Sequence, residues 1–368
     1  MIPVKNIYWM LSYAFTSLRS KGYANLSSEE FENAADLLAA ILSRGINQQV
    51  KRGLRKDYVQ EVVSLRSPKG KIEVSSSIKS NALLSHKLVC SYDEFSLDCY
   101  LNQVLKTAGQ ILLRKDLSKQ HRKALRRSLD YLSSVSLLDS RRIQWKQHYD
   151  RNSATYRMLM SVCKLVIDGH LHSQEPGLLR LEEFDEKAMS SLYERFILEY
   201  FKQEHRDTLT AAAPHIQWAI DDDMSDLLPD MRTDVTLETK TDNPRKVLII
   251  DAKYYAHTLQ SRFEKKTIHS NNLYQIFAYV KNRAELEKRT GRDCAIAGML
   301  LYAGTDEDIQ PDVCYQMSGN EVRVTSLRLD CDFDEIRKQL DEIADYLNDL
   351  EALPKPVSTF EFAAIGLG

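Results

Sequence analysis

Residues 232–237 read RTDVTL and residues 247–253 read VLIIDAK, and these two segments decide the fold of the second half of the chain. Both are short and rich in β-branched residues, which is typical of strands. The turn signal at residues 242–244 (DNP) lies between them, so the sequence predicts an antiparallel hairpin. Its midpoint falls between Asp242 and Asn243, which places Asp234 directly opposite Asp251, with their Cβ atoms roughly 5 Å apart.

Strand periodicity adds a lysine to this pair of carboxylates. Asp251 and Lys253 are two residues apart, so they project from the same face of the strand. Because residues 247–250 are apolar on both faces, the strand is predicted to be central, where charges are costly to bury without a ligand. Mg²⁺ prefers hard oxygen ligands, of which one or two are usually carboxylates. The pattern therefore predicts a magnesium site with Asp234 and Asp251 as ligands, and Lys253 orienting water or stabilising charge on phosphorus.

Two alternatives compete with this interpretation. The three charged residues could form an ion-pair cluster on an exposed face of the sheet, although an apolar central strand argues against that. Asp230 has the same strand parity as Asp234 and is the main rival for the first carboxylate. Its position directly after Leu227-Leu228-Pro229 is more typical of the start of a strand, so Asp234 is preferred.

The composition of the 368-residue chain is that of an ordinary globular protein, with 43% hydrophobic and 28% charged residues. No apolar run approaches the roughly 18 residues of a membrane span, and no signal peptide is visible, so a cytoplasmic protein is expected. The six cysteines are scattered without a CxxC spacing, which argues against a zinc knuckle or a disulfide framework. The chain also lacks a Walker A or GxGxxG pattern, so no nucleotide-binding loop is predicted.

Charge is divided unevenly between the two halves. Residues 1–150 carry 24 Lys and Arg against 14 Asp and Glu, whereas residues 151–368 carry 26 against 38. Four of the basic residues lie on one predicted helix: Arg122, Lys123, Arg126 and Arg127. This helix could contact DNA phosphates or a protein partner, and the alternative is a solvated basic helix.

Hydrophobic periodicity predicts two domains and a tail. Residues 1–150 are expected to combine helices, one of them from Ser28 to Ser43, with a few strands around residues 52–74. Residues 151–353 show helices and strands in alternation, which predicts an α/β domain with a mixed central sheet. Residues 354–368 show no clear period.

The order of Asp234, a short apolar strand and residues 251–253 (DAK) resembles the PD-(D/E)XK nuclease signature. Glu194, on the predicted helix before the strands, resembles the acidic residue that many of these nucleases place near the metal. Gln275 and Tyr279 resemble the QxxxY element that some of them carry on the following helix. These two residues are four apart and therefore share one helix face.

The opening residues 2–14 (IPVKNIYWMLSYA) resemble the start of McrC-family proteins, the nuclease subunits of McrBC-type restriction systems that act on modified DNA. Further similar blocks are residues 52–54, 69–72, 88–94, 101–106, 192–196 and 231–234. Thr233 departs from the family, which usually has proline there, and Ser67-Pro68 looks inserted. Neither departure removes a chemical group from the site.

This resemblance implies a Mg²⁺-dependent DNA endonuclease with a restriction-endonuclease-like second domain. The implied site residues are Asp234, Asp251, Lys253, Glu194, Gln275 and Tyr279, with Asp234, Asp251 and Glu194 holding the metal. It also implies a partner, a McrB-like hexameric AAA+ GTPase, which residues 1–150 would dock with and stimulate. The implied substrate is double-stranded DNA containing modified cytosine such as 5-methylcytosine, read by the partner.

Two other functions remain open at this point. A catalytically silent regulator would keep the nuclease fold and only activate the ring, but the intact DAK motif argues against it. A stand-alone exonuclease is suggested by Gln275 and Tyr279, but the McrC-like first half argues against it.

Overall fold

The computed structural model describes residues 2–20, 23–145, 147, 149, 154–172, 186–222, 226–241, 244–255, 260–262, 265–291, 294–304 and 310–350. The chain divides into two units. One consists of Met1–Ala14 and Ser190–Gly368, and the other of Phe15–Met189. The second unit is thus inserted, in sequence, between the first helix and the rest of the first unit.

The inserted unit combines helices with a small sheet. After α1 (Val4–Ala14), which belongs to the other unit, its helices are α2 (Ala34–Arg52), α3 (Val74–Lys79), α4 (Tyr100–Leu112), α5 (Lys119–Asp130) and α6 (Ala154–His172). Short 3-10 turns lie at Thr16–Arg19, Ala24–Ser28, Ala82–Ser85 and Ser140–Arg142. The strands β1 (Asp57–Leu65), β2 (Lys71–Ile72) and β3 (Leu88–Ser96) form an antiparallel sheet in the order β1-β3-β2. The predicted mixture of helices and a few strands is confirmed.

The other unit is built on a mixed sheet. Its helices besides α1 are α7 (Glu186–Glu204), α8 (Ser270–Arg289) and α9 (Phe333–Asp349). Its strands are β4 (Leu209–Ala212), β5 (His215–Ile216), β6 (Met231–Arg232), β7 (Val235–Thr239), β8 (Arg245–Lys253), β9 (Gln260–Arg262), β10 (Lys265–Thr267), β11 (Cys294–Ala303), β12 (Val313–Met317) and β13 (Asn320–Leu327). Six strands form one sheet in the order β12-β13-β11-β8-β7-β4, while β5-β6 and β9-β10 form separate ribbons. Because β8 is parallel to β11 and antiparallel to β7, the predicted mixed α/β fold is confirmed.

Helix α8 lies very close to strand β11. A Cβ atom on Gly298 would come within 2.7 Å of Val280 Cγ2 and 2.9 Å of Ile276 Cγ1, closer than real Cβ contacts. The absence of a side chain at residue 298 therefore sets the distance between the helix and the sheet.

Helix α1 is part of the unit that contains the large sheet. The Asn6 side-chain amide donates to the backbone carbonyls of Leu329 at 2.9 Å and Cys331 at 2.7 Å. The Trp9 ring stacks on Phe333 with ring centroids 5.1 Å apart. These contacts hold α1 against the start of α9.

The division of the chain differs from the predicted boundary after residue 150. The first helix joins the later unit because its apolar side packs there, and α6 joins the earlier unit because it packs against α2 and α4. The order of helices and strands along the sequence does not show which of these elements pack together. The predicted boundary residues 150 and 151, the predicted turn residues 242 and 243, and the predicted tail 354–368 lie outside the described residues.

None of the described helices is both long and apolar enough to cross a membrane.

The assignment of α1 can be tested with two matched substitutions of fully buried leucines, Leu11 in α1 and Leu105 in α4. Each change to alanine should cost about 2–5 kcal/mol of stability because it leaves a cavity. Leu11→Ala should speed hydrogen exchange in β8 and α9, whereas Leu105→Ala should speed it in α2 and α6. Faster exchange in α2 instead of β8 for Leu11→Ala would contradict the division.

Candidate active site

The β7–β8 pairing brings the two predicted carboxylates together. Val235 lies opposite Ile250, so continuing this register by one residue sets Asp234 opposite Asp251. The Asp234 Oδ2 atom accepts a hydrogen bond from the Ala252 backbone N–H at 2.9 Å. The register is the one predicted from the midpoint of the hairpin.

Asp251 is almost completely buried, with 2% of its surface exposed. This follows from the sequence of β8, whose residues from Val247 to Ala252 are buried on both faces of the sheet. The Oδ1 atom of Asp251 lies 3.0 Å from Lys253 Nζ. Within the described residues, no hydrogen-bond donor reaches the buried Oδ2 atom. The site thus holds a carboxylate oxygen whose charge is not fully compensated by this part of the chain.

Burial raises the pKa of Asp251 to about 7. Lys253 acts in the opposite direction because its positive charge favours the carboxylate, and the neighbouring Asp234 raises the pKa further. Burial alone would lower the pKa of Lys253, but Asp251 and Asp234 raise it above its usual value. Lys253 therefore remains a cation at neutral pH and can act as a hydrogen-bond donor, not as a base.

Lys253, Gln275 and Tyr279 form a chain of hydrogen bonds. Lys253 Nζ donates to Gln275 Oε1 at 3.2 Å, and Gln275 Nε2 donates to Tyr279 Oη at 2.8 Å. The Tyr279 hydroxyl in turn donates to the backbone carbonyl of Arg232 at 2.9 Å. The structure thus brings both QxxxY residues next to the lysine and ties α8 to the chain leading into Asp234.

Glu194 lies on α7, and its carboxylate accepts a hydrogen bond from Ser190 Oγ at 3.0 Å. Burial raises the pKa of Glu194, and the negative charge of Asp234 raises it further. In the described part of the chain, no three or more His, Cys, Asp or Glu side chains are grouped so as to hold a metal ion. Metal ligation by Glu194 stays a prediction, whereas Asp234 and Asp251 already face each other.

The rival carboxylate Asp230 is exposed in the segment before β6. Asp234, two residues past the end of β6, is the aspartate whose side chain bonds to β8. The geometry therefore favours Asp234 over Asp230.

The four basic residues predicted to contact DNA or a partner lie on α5 in the inserted unit. Arg122 Nη1 donates to the Leu113 carbonyl at 2.7 Å, and its Nη2 donates to the Lys115 carbonyl at 2.9 Å. Arg122 thus satisfies carbonyl groups at the end of α4, which is a structural role. The other three are exposed: Lys123, Arg126 and Arg127.

A network of charges that the sequence analysis missed holds α8 against the hairpin. Glu238 on β7 contacts both Arg245 on β8 and Arg283 on α8, the latter at 2.8 Å. Arg283 also bonds to Glu287, one turn further along α8, at 2.9 Å. The i, i+4 spacing of Arg283 and Glu287 could have predicted an ion pair on one face of the helix, but nothing in the sequence links this pair to Glu238.

The fold and site together define a mixed α/β protein with two facing aspartates and a lysine at the end of a central strand. The family described as "McrBC 5-methylcytosine restriction system component" matches residues 5–303. The chain is also 30% identical over 359 residues to the type IV methyl-directed restriction enzyme EcoKMcrBC of Escherichia coli (strain K12), covering 94% of this chain and 98% of that relative. The chain belongs to the McrBC family.

Two solved assemblies from Thermococcus gammatolerans show weaker similarity. One is a half-complex of a tetradecameric assembly of McrB AAA+ hexamers with bound McrC, with a TM-score of 0.45, 16% identity, and coverage of 93% of this chain and 76% of that chain. The other is a McrBC complex, with a TM-score of 0.38, 19% identity, and coverage of 55% and 59% respectively. The family assignment rests on the sequence matches.

The buried carboxylate predicts how stability depends on pH without metal. Asp251 has a pKa of about 7 in the folded chain, above the usual value of about 4 expected when unfolded. Its contribution to stability is therefore complete below about pH 4 and is lost as pH rises through 7. Asparagine cannot ionise, so Asp251→Asn should raise the melting temperature in EDTA more at about pH 8 than at about pH 5. The gain in the free energy of unfolding at about pH 8 over that at about pH 5 should be a few kcal/mol at most, since one pKa unit corresponds to about 1.4 kcal/mol. An equal effect at both pH values would contradict the buried charge.

Proposed function

We propose that this chain is the nuclease subunit of a McrBC-type restriction system. It hydrolyses phosphodiester bonds of double-stranded DNA with Mg²⁺, as an endonuclease of the PD-(D/E)XK type. It cuts when it is docked on a McrB-like hexameric AAA+ GTPase, whose hydrolysis it stimulates and which reads the modified cytosine. The observation that carries this proposal is the buried Asp251 facing Asp234, with Lys253 on the same strand.

The residues present fit a magnesium ion. Asp251 Oδ2 has no donor within the described residues, and the carboxylate of Asp234 lies opposite it. Mg²⁺ commonly takes one or two carboxylates and leaves its other positions to water and substrate phosphate. When bound, the ion would act as a Lewis acid on the phosphodiester. Asp234 and Asp251 are the proposed ligands.

Lys253 is proposed to orient the attacking water and to stabilise the negative charge that develops on the phosphate. Its ammonium group has three N–H donors, and the described contacts to Asp251 and Gln275 occupy two of them. The third donor is available for the water or the phosphate. Gln275 and Tyr279 keep the ammonium in place because their hydrogen bonds continue to the Arg232 carbonyl.

The inserted unit offers a surface for the partner. Tyr58, Val62 and Phe95 form the β1–β3 apolar surface, in which Tyr58 lies opposite Phe95 and their ring centroids are 5.2 Å apart. Their exposed fractions are 75%, 60% and 57%, respectively. Tyr58 and Phe95 are adjacent, and Val62 lies on the same face beyond the pair of Gln60 and Asp93. Adjacent exposed aromatic side chains are typical of interaction surfaces. This surface supports docking on the ring by the inserted unit.

The alternative is a catalytically silent regulator of the ring that retains the nuclease fold. A regulator would need the β1–β3 apolar surface but no charge buried at the end of β8. Keeping Asp251 at a site that raises its pKa is costly, which favours a chain that binds metal and cuts.

Plasmid cleavage tests the site directly. Asp251→Ala and Lys253→Ala should each reduce cleavage by at least about a hundredfold in the presence of Mg²⁺, GTP and the partner ring, because each removes a group that acts on the reacting phosphate. Asp230→Ala is the matched control and should cut like the wild type, because Asp230 is exposed outside the site. Methylated and unmethylated plasmids should differ as substrates for the wild-type complex.

Two outcomes of the cleavage test would contradict the proposal. Undiminished cutting by Asp251→Ala would refute the assigned site. No cutting by the wild type, together with stimulated GTP hydrolysis, would establish the silent regulator.

The docking surface has its own test. Tyr58→Ser combined with Phe95→Ser should reduce stimulation of the partner's GTP hydrolysis by about tenfold or more, because buried aromatic residues dominate most interfaces. Tyr131→Ser is the matched control, since Tyr131 is an exposed tyrosine of the same unit that lies outside the β1–β3 apolar surface. Full stimulation by the double variant, with an unchanged circular dichroism spectrum, would show that the ring binds elsewhere.

A further inference from the structure

The β5–β6 ribbon carries a histidine and an arginine on one side. His215 lies opposite Arg232, and Ile216 lies opposite Met231. Ile216 and Met231 are buried in the hydrophobic core of the unit. Because side chains alternate along a strand, His215 and Arg232 point to the other side, where both are exposed.

The backbone around Arg232 is held firmly. The next residue, Thr233, is buried, and its backbone N–H and its hydroxyl both donate to the Pro214 carbonyl, at 3.1 and 3.3 Å. The Arg232 carbonyl accepts the hydrogen bond from Tyr279 at 2.9 Å. Arg232 is therefore fixed relative to the lysine and carboxylates of the site.

The ribbon leads directly into the site. Strand β6 ends at Arg232 and β7 begins at Val235, so only Thr233 separates Arg232 from Asp234 in the chain. Arg232 is thus an exposed cation on an anchored backbone, two residues before the aspartate that bonds to β8.

The charges at the site leave a role for such a cation. Glu194 and the two aspartates supply up to three negative charges, while Lys253 is already bonded to Asp251. Lys253 and the proposed divalent cation would together balance these three charges, so the further negative charge of a DNA phosphodiester needs another cation. A guanidinium suits this task because its planar fork donates two parallel hydrogen bonds to a phosphate.

We propose that Arg232 binds a phosphodiester group of the DNA backbone at the mouth of the site, next to the scissile phosphate, with His215 beside it on the ribbon. The contact holds the backbone in place and is independent of base sequence. This inference rests on the proposed nuclease function and adds a DNA-binding residue to it.

The first arm of the test measures binding by the full-length chain to a short duplex in Ca²⁺ over a range of salt concentrations. Arg232→Gln should weaken binding about tenfold, the loss expected for one charge-assisted hydrogen-bonded contact. It should also reduce the slope of log affinity against log salt by about 1, because one phosphate contact is lost. Arg232→Lys should restore part of the affinity and the full slope.

Arg206→Gln is the matched control. Arg206 is an exposed arginine of the same unit, paired with Asp207 and away from the site. This variant should bind DNA like the wild type with an unchanged salt slope. An equal loss in Arg206→Gln and Arg232→Gln would overturn the proposal, because it would indicate a general effect of net charge.

The second arm measures Mg²⁺-dependent cleavage by the same variants with the partner ring and GTP, and it separates the two proposals. If the wild type cleaves DNA and Arg232→Gln binds DNA as tightly as the wild type, the role of Arg232 is overturned and the nuclease function stands. If the wild type does not cleave DNA but Arg232→Gln still binds DNA more weakly than the wild type, only the nuclease function is overturned. Weakened binding, slower cleavage and unchanged stimulation of GTP hydrolysis in Arg232→Gln are the results expected.

Discussion

The burial of the Asp251 carboxylate is the constraint on which the rest of the site depends. Strand β8 is apolar on both faces and is therefore central, so the aspartate at its end is removed from water. Moving an ion into such a site costs several kcal/mol even after relaxation. Lys253 offsets part of this cost, but the pKa of Asp251 still rises to about 7. A divalent cation shared with Asp234 would supply the remaining positive charge, and this is why we propose a metal site here.

The scaffold keeps the groups of the site at fixed distances. Gly298 lets α8 approach the sheet, and Arg283 ties the helix to Glu238 on β7. As a result, Gln275 reaches Lys253 from the helix while Asp234 reaches β8 from the neighbouring strand. Sites built on packed helices and strands hold their geometry more tightly than sites on loops.

The sequence predicted features that depend on local periodicity and missed those that depend on tertiary packing. The opposition of Asp234 and Asp251 follows from hairpin symmetry, and the QxxxY spacing follows from the helical repeat, so both were predictable. The helix expected at Ser28 instead begins at Ala34, because Asn33 caps it by accepting from the Asp36 N–H. Strand β3 went unpredicted because the exposed Asp93 and Glu94 interrupt its apolar pattern, and the docking of α1 went unpredicted because sequence order does not show packing partners. The structural role of Arg122 was hidden for the same reason.

Anomalous diffraction from crystals of the chain soaked in Mn²⁺ would show whether Asp234 and Asp251 together hold a divalent cation, as we propose. We expect an anomalous peak between the two carboxylates, within bonding distance of at least one oxygen of each, and no such peak in Asp251→Asn crystals. A cation bound elsewhere in the chain, or a site between the aspartates that stays empty at millimolar Mn²⁺, would contradict it.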